Sequence, residues 1–153
     1  MTKIPSELYK QIMENVPICC IDFVVLHQGK VLLTFRNDEP AKGKWWIQGG
    51  RLLKNERIED AVRRKAREEI GVDVKLVRRT GTYEYFCRRG HFPDLATGVH
   101  DIAICYLVEP ASTNFNLDSA HSQYRWIDHI EKDLDPYVQN VLGDARVFGK
   151  NES

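Results

Sequence analysis

Apolar and polar positions along this chain follow two rhythms. "ICCIDFVVLH" and "KVLLTFR" are apolar, β-branched runs joined by "QG", and they predict two strands with a hairpin turn around Gly29. "VDVKLVRRTGTYEYFC" predicts two strands around Gly81, "DIAICYLVEP" a further strand and "YRWID" a short one. In between, Ile58, Ala61, Val62 and Ala66 recur at spacings of three and four. They predict a helix from about Asn55 to Ile70, ended by Gly71 in the C′ position. "SELYKQIMENVP" predicts a short helix with Ser6 as its cap and Pro17 after its end, and Asp135-Pro136 starts a last helix through "YVQNVLGDARVF". "NDEPAKGKWW", "RRGHFPDLATGVH" and "STNFNLDSAHSQ" read as loops. Strands on either side of one central helix, with a terminal helix, predict an α/β (α+β) layering around a mixed sheet. No repeat or linker divides the chain, so a single domain over residues 1–153 is expected.

Composition narrows the function. Lys and Arg number 22, as do Asp and Glu, so no global field draws the chain to nucleic acid or to an anionic membrane. "RRGHF" is basic and aromatic but too short to imply nucleic-acid binding. The N-terminal stretch reads as neither signal peptide nor membrane anchor. Cys19, Cys20, Cys87 and Cys105 lack any C-x-x-C spacing. They are expected as reduced, mostly buried thiols of a cytoplasmic protein.

The candidate chemistry lies in "GGRLLKNERIEDAVRRKAREEIGVDV", residues 49–74. On a helix, Glu56, Asp60, Arg64 and Glu68 follow at four-residue spacing, and Lys65 pairs with Glu69. The plain alternative is a solvated, salt-bridged helix face. Three features point further. Gly49-Gly50 lets backbone come close to a ligand. The carboxylates gather at the helix C-terminus, where the dipole disfavours negative charge and a cation is wanted. Arg51 adds a fork suited to phosphate. Carboxylates with a nearby backbone carbonyl make a hard oxygen site for Mg²⁺ that substrate phosphates and water complete.

The stretch resembles the Nudix box, G-x5-E-x7-R-E-U-x-E-E-x-G-U with U aliphatic. Gly50, Glu56, Arg64, Ala66, Glu68, Glu69, Gly71 and Val72 match it, and Lys65 replaces one glutamate. The resemblance implies the Nudix fold, a mixed β-sheet sandwiched between helices (α/β/α), a diphosphate-linked nucleoside substrate and a divalent metal held by the box. A protonated lysine cannot ligate Mg²⁺, so attack at phosphorus loses support and a single metal is expected.

"IDFVV", "LLTFRNDEPAKGKWWIQGGR" and "HSQYRW" resemble the GDP-mannose mannosyl hydrolases, a Nudix branch altered at the same box position. That resemblance implies hydrolysis of GDP-mannose or GDP-glucose at the sugar anomeric carbon, with inversion. It assigns Asp22, Arg36 and Arg51 to substrate or leaving-group contacts and His121 to the general base. It gives the metal, Mg²⁺ with Mn²⁺ as a possible substitute, to a Gly49-Gly50 carbonyl and Glu69, and it implies a homodimer. Where the branch has a polar ligand before the histidine, this chain has Ala120, and Glu68 is expected to compensate as a ligand.

A histidine near its ordinary pKa can take a proton close to neutrality. Asp22, a carboxylate in an apolar strand, is expected to find an arginine or a substrate hydroxyl. Trp45 and Trp46 either stack on the substrate or anchor the strand entering the box. Tyr83, Tyr85 and Phe86 form a nucleobase wall, sheet core or a dimer contact. His91 and His100 have no assigned role. Two further readings stay open: a pyrophosphohydrolase acting on a nucleoside diphosphate derivative such as ADP-ribose, and a Nudix-fold binding module that has lost catalysis.

Overall fold

The computed structural model describes residues 3–149; the ends of the expected 1–153 domain lie outside them. Three helices and seven strands follow in the order α1 (Ser6–Asn15), β1 (Ile18–His27), β2 (Lys30–Arg36), β3 (Trp45–Trp46), β4 (Gln48–Arg51), α2 (Ile58–Ile70), β5 (Val74–Cys87), β6 (Val99–Pro110), β7 (His121–Ile127) and α3 (Pro136–Ala145).

The sheet is mixed. Its path runs β3-β2-β1-β6-β5, with β4 added on β1 and β7 on β2. β1 and β6 run parallel, Asp22 opposite Cys105, while the other pairs are antiparallel. The "QG" turn is as predicted: Gln28 and Gly29 both take positive φ, and His27 pairs with Lys30. Beyond that tip β1 leaves β2 and lies between β4 and β6.

Helices cover both faces, which is why β1 is apolar almost throughout. Ile21, Phe23 and Val25 pack with Ala61, Val62, Ala66 and Ile70 of α2. Val24, on the other face, packs with Val138, Val141 and Leu142 of α3. Residues buried as fully as Phe23 and Leu32 each contribute about 1.5–3 kcal/mol. Strand alternation puts Asp22 on the α3 face, two positions from Val24, where an open cavity replaces core.

Local details depart from the sequence reading. α2 begins at Ile58 rather than near Asn55, because Asn55 takes φ +65° and Arg57 is extended. Ser6 lies inside α1, Pro5 holds the cap position, and no side chain caps that helix. The two strands expected around Gly81 are one strand, β5, with register shifts at Leu76/Arg78 and Arg79/Gly81. Of the thiols, Cys105 is buried, but Cys19 is exposed. Gly71 does close α2 with φ +71°, as predicted.

Candidate functional site

The box splits into a closed half and an open half. In the closed half Arg64 is saturated. Its Nε and Nη2 donate to the two Glu56 oxygens at 2.7 and 3.0 Å, Nη2 also donates to the Arg51 carbonyl at 3.1 Å, and Nη1 donates to Glu68. Arg64 holds the Glu56 carboxyl below its usual range. This fork ties α2 to the loop and to β4, so it fixes the glycine strand over the helix.

Gly49 is required by backbone contact, and Gly50 leaves room for the end of the Lys65 side chain. A Cβ on Gly49 would lie 2.0 Å from Asp22 Oδ1, and one on Gly50 would lie 2.6 Å from Lys65 Cε. The Gly49 N–H donates to Glu69 Oε2 at 3.1 Å. Lys65 extends under Gly50 and sets its ammonium 3.2 Å from Glu69 Oε1 and 3.3 Å from Glu68 Oε2. Burial would lower its pKa, but Glu69 and Glu68 outweigh that and raise it, so Lys65 is a fixed cation.

Glu68 and Glu69 differ. The Glu68 side chain is 49% exposed and spent on Arg64 and Lys65. Glu69 is buried, and burial raises its pKa against the pull of Lys65, His121 and the Gly49 N–H. Glu68, expected as a second metal ligand beside Glu69, faces Arg64 and Lys65 here. Ligand atoms of Glu69, Asp118 and His121 lie within 4.8 Å of one another.

The chain reaches that arrangement through the end of α2. The last carbonyls of a helix have no partners within it. Here the Ile70 carbonyl accepts from Asn116 N–H at 3.0 Å and the Glu69 carbonyl from Asp118 N–H at 3.2 Å. A Cβ on Gly71 would lie 2.9 Å from Asn116, so the glycine also admits the loop. Asp118 then turns the chain by accepting from Ala120 N–H, and β7 starts at His121 opposite Arg36. His121 was expected in a polar loop; it is a strand residue, buried to 4% exposure.

Asp118 Oδ1 lies 2.6 Å from His121 Nδ1. A carboxylate only accepts, so Nδ1 carries the proton and Nε2 presents its lone pair. Among the described residues, buried Nε2 has no hydrogen-bond partner. Such a nitrogen can take a proton or bind a metal, but one lone pair cannot do both.

Asp22, Arg36 and Arg51 all line one cavity of about 320 Å³, together with Glu69 and His121. Arg36 is steadied by its Nε donating to the Pro40 carbonyl at 2.7 Å, and Arg51 lies over the Tyr9 ring at 4.6 Å. Asp22 finds neither an arginine nor only solvent: the Tyr137 hydroxyl donates to its Oδ2 at 2.6 Å. Burial pushes the Asp22 carboxyl up to about 7, against that hydrogen bond.

Trp46 packs in the core beside the parallel Tyr137 ring, 5.6 Å between centroids, with Tyr85 edge-on to it, and it also lines the cavity. Trp45 packs on Phe35 and under Arg125. Tyr85 reaches the cavity, Tyr83 donates to Asp144, and Phe86 is exposed against His100. Sequence reasoning missed Asp118 and Tyr137. The Asp-x-x-His spacing was a usable signal for Asp118; Tyr137, 115 residues from Asp22, offered none.

Comparison with known proteins agrees with the fold. The family model of the NUDIX domain matches residues 20–141. The low-salt glycan biosynthesis protein Agl8 of Haloferax volcanii is 38% identical over 92% of this chain and 90% of its own length. An ADP-ribose pyrophosphatase of Methanocaldococcus jannaschii is 29% identical over 61% of this chain and 51% of its own. A MutT NUDIX hydrolase from Burkholderia pseudomallei superposes with a TM-score of 0.72 at 23% identity, covering 85% of this chain and 98% of that one.

Proposed function

Because this chain belongs to the Nudix hydrolase family, we propose that it hydrolyses a nucleotide sugar, GDP-mannose or GDP-glucose, at the sugar anomeric carbon. The observation that carries this reading is the buried His121, held by a half-buried Asp118 and with an open Nε2, beside a box in which Lys65 has taken the place of a carboxylate.

In this reading water bonds to the anomeric carbon from the face opposite the diphosphate, and its proton passes to His121 Nε2. The bond from that carbon to the phosphate oxygen breaks, and GDP leaves with the electron pair. Asp118 keeps His121 in the receptive tautomer and stabilises the imidazolium that forms. Arg36, Arg51 and the Lys65 ammonium offset the charge of the departing diphosphate. Asp22, held by Tyr137, faces the substrate in the same cavity.

Nudix hydrolases generally use divalent cations such as Mg²⁺. The donor set fits one. Glu69 is buried and desolvated, and Asp118 brings a second carboxylate close by, in the role for which Glu68 was expected to compensate. With His121 kept for the proton, Glu69, Asp118 and a Gly49-Gly50 carbonyl would hold Mg²⁺ or Mn²⁺. The ion supplies charge neutralisation for the leaving group. Glycan biosynthesis, named for the Haloferax relative, is a setting in which nucleotide sugars are consumed.

A second reading, cleavage between the phosphates of a compound such as ADP-ribose, draws on the similarity to an ADP-ribose pyrophosphatase and on the intact Glu56–Arg64 frame. Product analysis separates the readings. Free sugar plus GDP is expected; sugar phosphate plus GMP would support the second. No turnover of any nucleotide sugar would leave the binding module. A homodimer belongs to the same proposal: no residue of α1 is buried, and Leu8 is 49% exposed there. Sedimentation of the free protein should give twice the chain mass.

A further inference from the structure

Lys65 changes the kind of cation that the open half of the box can hold. Glu69 and Asp118 bring two negative charges together, and the Lys65 ammonium, 3.2 Å from Glu69 Oε1, cancels one of them. Glu69 Oε2 accepts from the Gly49 N–H, so each oxygen of that carboxylate keeps one lone pair for a further partner. Glu68 is turned to Arg64 and Lys65. A hard ion such as Mg²⁺ is held by charge and oxygen donors, and it parts with its water reluctantly. A cluster left with one uncancelled charge therefore holds Mg²⁺ weakly until a diphosphate adds its own oxygens.

The same corner carries a nitrogen donor. A ligand atom of His121 lies within 4.8 Å of those of Glu69 and Asp118. The His121 side chain is 1% exposed, lines the cavity, and has no hydrogen-bond partner for Nε2 among the described residues. Asp118 Oδ1, 2.6 Å from Nδ1, keeps the ring proton on that side and leaves the Nε2 lone pair free. A carboxylate behind an imidazole holds the ring in place and raises its basicity, which is how proteins tune a metal-binding histidine. Imidazole suits Zn²⁺, Ni²⁺ and Cu²⁺, and as a neutral donor it does not depend on the charge that Lys65 removes.

We propose that Glu69 and His121 Nε2, with Asp118 behind the imidazole, form an inhibitory site for a borderline transition ion such as Zn²⁺, which binds the free protein more tightly than Mg²⁺ does. The inhibitory consequence rests on the reading of His121 as the general base. An ion on Nε2 takes the lone pair that must receive the proton of the attacking water. Mg²⁺ keeps to oxygen donors and leaves Nε2 free, so the two ions share Glu69 and exclude one another. Thiols are the rival ligands, because Cys20 lines the same cavity. Burial pushes the Cys20 thiol pKa up, which keeps it protonated, and only a thiolate is a good ligand.

The test is calorimetric titration of the metal-free protein with Zn²⁺ and, separately, with Mg²⁺, on wild type, His121→Gln and Cys20→Ser. Wild type should bind Zn²⁺ at least about 100-fold more tightly than Mg²⁺. His121→Gln should weaken Zn²⁺ about 10- to 100-fold and move Mg²⁺ less than about 3-fold, while Cys20→Ser should move neither. Histidine-ring NMR on the unmodified protein gives the same answer without a variant: Zn²⁺ should shift the His121 ring and Mg²⁺ should not. Zn²⁺ affinity no higher than that of Mg²⁺, affinity that survives His121→Gln, a loss in Cys20→Ser instead, or an unmoved His121 ring overturns the site. None of these readouts involves turnover, so the site can hold while cleavage at carbon fails, or the reverse. Where both hold, bound Zn²⁺ should lower Mg²⁺-supported turnover at least about 10-fold, and full turnover with Zn²⁺ bound overturns the inhibition.

Discussion

The two halves of the box carry the same residue types and do different work. Around Arg64 every charge is spent: Glu56, Glu68 and the Arg51 carbonyl all accept from one guanidinium. Around Glu69 charges are left over: two carboxylates and an unpartnered imidazole nitrogen lie within one small cluster, with Lys65 alone as built-in cation. Saturated pairs hold a structure together, and unsaturated ones store the capacity to bind or to move a proton. Four substitutions sharpen or break that contrast.

The largest effect is expected at His121. His121→Gln should lower turnover of the nucleotide sugar by about 10²–10⁴, the usual contribution of a general base, with the melting temperature little changed. Near-normal turnover would retire the assignment. Arg64→Ala should instead act through stability. It leaves Glu56, with a side chain only 8% exposed, without its partner, so thermal unfolding should show a loss on the order of 2–4 kcal/mol. A variant as stable as wild type would contradict the scaffold role.

Asp22→Asn tests the cavity wall by pH. The Asp22 pKa rises from an ordinary 3.8 to about 7 on folding, so between those values the folded state holds more protons and wild-type stability falls as pH rises. The variant lacks that slope. Its advantage in metal-free buffer should be near zero at pH 4 and reach on the order of 2 kcal/mol by pH 8, given partial exposure of the site. A pH-independent difference would show that Asp22 is not desolvated. The smallest effect belongs to Glu68→Ala. An exposed carboxylate engaged in surface pairs should cost less than about 1 kcal/mol and leave Mg²⁺ dependence unchanged. Lost metal dependence would return Glu68 to the metal site.

Much of this architecture was legible in the chain. Apolar runs marked β1, β2 and β6, and the spacing of Ile58, Ala61, Val62 and Ala66 marked the buried face of α2. The "QG" turn and Gly71 were legible because positive φ leaves few residues to choose from. The β5 strand was split in error because Gly81 reads as a turn; in the sheet it sits at an irregularity that β6 pairing bridges. The candidate site was legible only where local pattern carried it. Asp22 announced itself as a charge in an apolar strand, and the Gly50-to-Val72 spacing announced the box. Tyr137 did not, because it meets Asp22 only through α3 packing on β1; Asp118 showed only its Asp-x-x-His spacing, while its place beside Glu69 comes from the loop meeting the end of α2.

Hydrolysis of the nucleotide sugar in ¹⁸O-labelled water, with both products weighed by mass spectrometry, tests the central claim most directly. Cleavage at carbon, the outcome expected from an open His121 beside a lysine-filled box, puts the label in the free sugar and none in the nucleotide. Label in a phosphate group would mean attack at phosphorus and would contradict the account.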